Sequence, residues 1–82
     1  MENLNIKTGI SGFYCFFTTE GQEYCADVCA IPFLEHANQC AIWKAKDGEV
    51  IDWNPVFIRK DVPVTTATLR ECVGEFAGAL VF

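Results

Sequence analysis

Cys40-Ala-Ile-Trp-Lys-Ala-Lys-Asp-Gly-Glu-Val-Ile-Asp-Trp53 is the stretch on which the fold turns. Asp47-Gly48 is the preferred pair for a two-residue type I′ turn, in which both central residues need positive φ. The β-branched and aromatic residues on either side, Cys40 to Ala45 and Val50 to Trp53, then read as the two strands of a hairpin. With the turn placed, side chains alternate between faces. Ala41, Trp43, Ala45 and Val50 share one face with Asp52, and Cys40, Ile42, Ile51 and Trp53 share the other with Lys44. A sheet wetted on one side shows polar residues there, and neither face does so cleanly.

Beyond the hairpin, Asn54-Pro55 interrupts the second strand and Val56 to Arg59 resumes it, so a bulge or bend is expected at Pro55, with the strand at a sheet edge. Lys60-Asp61-Val62-Pro63 ends that strand. Thr65 or Thr66 can cap a helix whose apolar positions Leu69, Cys72, Val73, Phe76 and Leu80 recur at three- and four-residue steps. Gly74 and Gly78 weaken this helix unless something packs against their bare backbone.

Upstream, Phe13 to Thr19 and Glu23 to Cys29 flank Glu20-Gly21-Gln22 and read as another hairpin. A three-residue loop would bring Cys15 near Cys25, although a slip of one residue changes which side chains meet. Leu4 to Ile10 alternates like a short edge strand. Pro32 within Ala30 to Gln39 predicts a loop or a single helical turn. The fold class is therefore α+β: a four- to five-stranded antiparallel sheet of hairpins, with one C-terminal helix packed on one face.

The chain has 82 residues, enough for one domain spanning 1–82 and too few for two cores. Folding a chain of this size removes about 8,400 Å² from water. If some 60% of that is apolar, burial contributes about 125 kcal/mol, and ordering the chain costs about the same. Against that near-zero balance, 51% hydrophobic residues with seven Phe, two Trp and two Tyr are more than so small a globule shelters alone. One helix covers about one face of a small sheet, so the other face is a candidate interface. Trp43, Trp53, Phe13, Phe17, Tyr24 and Phe82 are its expected residues, the last belonging to the apolar tail Leu80-Val81-Phe82.

The net charge of −5 argues against nucleic acid, whose binders need clustered cations. The eleven acids are scattered, as solubility charge is, rather than clustered as in a nucleic-acid mimic. No apolar run reaches the roughly 18 residues of a membrane span, and Met-Glu-Asn-Leu-Asn lacks the basic start of a secretory signal. A cytoplasmic location with five reduced cysteines is the expectation.

Among chemical motifs, Cys25, Cys29, His36 and Cys40 supply three thiols and an imidazole of the kind that hold zinc. Their C-x3-C-x6-H-x3-C spacing departs from the usual C-x2-C turn, and strand residues four apart lie about 13 Å from each other. Buried small hydrophobes is the plainer reading of these thiols. A cysteine nucleophile with His36 as base lacks an orienting third group. Gly9-Ile-Ser-Gly12 is no phosphate loop, since the motif and a following helix are both missing. Trp43, Trp53, Tyr14 and Tyr24 offer an aromatic cradle for a flat or cationic ligand, with core packing as the alternative. Residues 40–53 loosely resemble hairpins of small phage or mobile-element proteins, a likeness of generic hairpin chemistry that implies a small accessory protein.

The expectation is thus a non-enzymatic interaction module without cofactor or metal, pairing as a homodimer through an exposed apolar sheet face or the C-terminal tail. A small-ligand or zinc-binding domain is the alternative. A further one is an acidic inhibitor docking on a basic surface of a target protein.

Overall fold

A computed structural model describes residues 4–30 and 38–80. The elements run β1 (Lys7–Thr8), β2 (Gly12–Thr19), β3 (Gln22–Ala30), β4 (Asn38–Lys46), β5 (Glu49–Val50), β6 (Phe57–Lys60) and α1 (Thr66–Leu80). Together they form one antiparallel sheet in the order β1-β2-β3-β4, with β5 and β6 both paired to the far edge of β4, and a single helix against it. The α+β architecture read from the sequence is the observed one. The interruption expected at Pro55 is also present: β5 stops at Val50, and β6 resumes the edge at Phe57.

Both hairpin turns are built from left-handed residues. Asp47 and Gly48 have φ of 53° and 79°, and Glu20 and Gly21 have 51° and 77°. The second turn corrects the expected three-residue loop. Thr19 pairs with Gln22, leaving Glu20-Gly21 as a two-residue turn. That moves the register by one, so Cys15 faces Ala26 while Cys25 faces Phe16. Cys15 and Cys25 therefore point to opposite sides of the sheet, because one residue of slip exchanges faces. The Asp47-Gly48 turn is also tied to β3, since the Gly48 amide donates to Glu23 Oε2 at 2.8 Å.

Thr65 caps the helix, its Oγ1 accepting the Thr68 amide at 3.1 Å. Leu69, Cys72, Val73 and Phe76 form the buried stripe, while Leu80 is exposed. The stripe packs on the sheet face made by Cys15, Phe17, Tyr24, Ala26, Val28, Cys40 and Ile42. Phe76 is the centre of that contact. Its ring lies edge-on to Tyr24 at 4.9 Å, to Phe57 at 6.1 Å and to Phe17 at 6.3 Å. At the margin Arg59 lies over the Phe57 ring and pairs with Glu71 and Glu75 of the helix. Leu4 and Ile6, expected in an edge strand that in fact spans only Lys7–Thr8, pack against the same core.

Nothing lies within 4 Å of where a Cβ at Gly74 would sit, so its missing side chain serves no close packing. Gly74→Ala is expected to stabilise the fold by about 0.5–1 kcal/mol, and Phe76→Ala to cost about 3–5 kcal/mol. Thermal melts of the two variants, shifted in opposite directions from the parent, check this.

Candidate functional site

The helix covers only the face described above. On the opposite face the strand register lays residues out in rows. Phe16, Cys25 and Trp43 make one row; Lys7, Tyr14, Asp27, Ala41 and Ile58 make the next; Gly12, Cys29, Gln39 and Lys60 follow. Ala45 and Val50 extend the face beyond Trp43. Small residues here are hidden by their large neighbours: Cys25, Ala41 and Ala45 are buried, whereas Phe16 and Trp43 remain part-exposed.

Trp53 joins this face, contrary to the alternation expected from the hairpin. Because β5 ends at Val50, the pleat no longer determines where residues 51–56 point. Asp52 Oδ1 accepts the Asn54 amide at 3.0 Å, an Asx turn that bends the chain ahead of Pro55. The Val56 amide then donates to the Ile42 carbonyl at 2.7 Å and returns the chain to β4. The excursion lays the Trp53 ring edge-on to Trp43, with centroids 5.6 Å apart, and leaves Trp53 72% exposed. Ile51, Val56 and Ile58 are exposed as well.

Of the residues expected at an interface, Trp43 and Trp53 are thus adjacent on the open face. Phe17 and Tyr24 are not on it: they stack on each other at 5.5 Å beneath the helix, because their register positions share the face of Ala26 and Ile42. Phe13 packs partly buried against that same core, and Phe82 lies outside the described residues. The aromatic cradle is dispersed in the same way, with Tyr14 on the open face and Tyr24 beneath the helix. Phe16 and Ile58, not among the six residues named for the interface, do lie on the open face; the alternation of Phe16 with Phe17 along β2 was the signal for the first.

The Cys/His set is not brought together. Cys25 and Cys29 lie four residues apart on the open face, and Cys40 points to the helix side, since β4 presents it with Ile42. His36 lies outside the described residues. Among the described residues no group of three or more His, Cys, Asp or Glu is placed to hold a metal ion. Burial pushes the Cys15 and Cys25 thiols up to about 11, and it raises Cys40, whose thiol is hydrogen-bonded to that of Cys72. Cys29 is also raised to about 11, first by burial and then by its hydrogen bond to the Asp27 carboxylate. Asp27 in turn is half-buried on an apolar face, and this desolvation raises its carboxyl above the ordinary 3.8.

Comparison with protein-family models, with curated proteins and with solved structures finds no match, so the reading of this face rests on its own residues.

Two predictions follow from these ionisations. The thiols with raised pKa stay protonated at neutral pH, so iodoacetamide at pH 7.5 should label the native chain slowly, with part-exposed Cys29 first; peptide mapping of the labelled sites reads the order. For Asp27, folding favours the protonated carboxyl, so the ionised form costs stability at neutral pH. That cost fades as pH falls through the folded pKa and is gone below 3.8. Asp27→Asn should therefore melt higher than the parent at pH 7, with the margin vanishing in acid; an equal margin at every pH would contradict the assignment.

Proposed function

We propose that this protein is a non-enzymatic interaction module that pairs with a second copy of itself through the open face of the sheet. The observation that carries this reading is the Trp43–Trp53 pair beside Phe16 and Ile58 on the face the helix does not cover. Tryptophan at the centre of a patch is the residue type most often found to dominate binding energy.

Size and composition favour a second copy as the occupant. Four strands spaced about 4.8 Å apart and some six residues long make a face of roughly 19 by 20 Å. Together with the exposed loop 51–56, this approaches the roughly 600 Å² per partner at the lower end of stable interfaces. Two such faces can stack about 10 Å apart as the sheets of a sandwich do. A two-fold pair brings the same patch against itself, which suits a face whose end around Phe16, Trp43 and Trp53 is apolar, with Lys7, Glu23 and Lys60 toward its edges and Asp27 the one charge within it.

Because Trp53 is largely outside the core, Trp53→Ser should fold normally by circular dichroism. It should also weaken self-association at least about 30-fold, the scale of a hot-spot residue. Sedimentation equilibrium of parent and variant at tens of micromolar measures this. A parent that is strictly monomeric under those conditions would overturn the proposal.

A further inference from the structure

At the other corner of the open face, the loop joining β1 to β2 folds over the end of β3. The Gly9 amide donates to the Gly12 carbonyl at 2.8 Å, and the Ala30 amide donates to the Ser11 carbonyl at 3.2 Å. These two bonds hold open a cleft of about 370 Å³ between the Gly9–Gly12 loop and Asp27, Cys29 and Ala30. The close approach requires glycine at position 12, where a Cβ would run into the Val28 carbonyl. The Tyr14 ring lies against Gly9 beside the cleft, and Ile10 stands fully exposed in its wall.

We propose that this cleft is a binding site for a single alkyl cation, the side chain of a lysine or arginine presented by a protein partner. Most of the wall is apolar, and its one anion is the Asp27 carboxylate. Around that carboxylate, β2 presents Tyr14, β3 presents Cys25 and Cys29, and β4 presents Ala41; Lys7 lies a further strand away beyond Tyr14. The ion pairs among the described residues belong to Arg59 on the helix side and leave Asp27 out. Its neighbour Cys29 is a protonated donor, so the site carries one negative charge and no positive one. A carboxylate desolvated in this way gains most from a charged donor, and an aromatic face beside it adds cation–π attraction. Ile10 suits the alkyl stem of such a side chain, whose charged head then reaches Asp27. With one carboxylate and a thiol the donor set is too small for a metal ion. The overall charge of −5 favours the approach of a cation. The cleft lies at the opposite corner of the same face from the tryptophan pair, which stands on the β4–β5 side.

Titration of the ¹⁵N-labelled protein with N-acetyl-arginine-N-methylamide tests the proposal, with the lysine compound and the neutral citrulline compound run in parallel. The expected result is a saturable shift of amides in residues 9–12 and 27–30 with one or both cations. Citrulline should bind at least about 10-fold more weakly, the scale of a charge-assisted hydrogen bond. Asp27→Asn should lose at least as much, whereas Asp47→Asn, which removes a turn carboxylate of equal charge, should bind as the parent does. The stronger of arginine and lysine identifies the preferred head group. Absence of saturable binding, shifts spread over the acidic surface, or equal losses in the two variants would each overturn it. The amide spectrum of each variant reports in the same experiment whether it is folded.

Discussion

Phe76 holds the molecule together by joining the helix to the sheet through its ring, the ion pairs of Arg59 with Glu71 and Glu75 lying only at the margin of that contact. Its ring is met by Phe17 from β2, Tyr24 from β3 and Phe57 from β6, so one helical side chain gathers three strands. Leu69, Cys72 and Val73 extend the same stripe toward the helix start. The helix has fifteen residues and one apolar stripe, and it can therefore cover only one side of the sheet. Which side it covers follows from register, because Phe17, Tyr24 and Ile42 share a face. Once that choice is made, Phe16, Trp43 and Ile58 are left without cover, and the functional proposals follow from what the helix leaves bare.

The charges follow the same division. On the helix side the cation Arg59 is matched by Glu71 and Glu75, a network near solvent that guides the helix more than it stabilises it. On the open side Asp27 sits among Tyr14, Cys25, Cys29 and Ala41 with a thiol as its hydrogen-bond partner. A carboxylate in apolar surroundings lowers the stability of the isolated chain, so its place on an otherwise greasy face is informative. The tryptophan patch and the Asp27 cleft accordingly lie at opposite corners of one face, the first apolar and the second built around a single carboxylate.

Much of the architecture is legible in local chemistry. Asp47-Gly48 marks a turn because few residue pairs tolerate two successive positive φ angles, and Thr65 followed by a three- and four-residue apolar rhythm marks a capped helix. The proposed interface was legible only in part. Trp43 lies within a regular strand, so its face follows from counting back from the turn. Trp53 lies three residues past the last pleated position, and counting fails there because the Asx turn at Asp52 and the return bond from Val56 redirect the chain. Phe17 and Tyr24 look as interfacial as Trp43 in a list of aromatics, and only the ring of Phe76 above them makes them core.

The sequence by itself determined the hairpin turn at Asp47-Gly48, the helix and the excess of apolar side chains, since turn chemistry, capping and composition act over a few residues or over the whole chain without regard to geometry. Tertiary structure alone decided the register of β2 on β3, the pairing of the two indoles and the seclusion of Asp27 beside the Gly9–Gly12 loop. Each of these depends on residues far apart in the chain, and a shift of one position in strand pairing exchanges the buried and open faces.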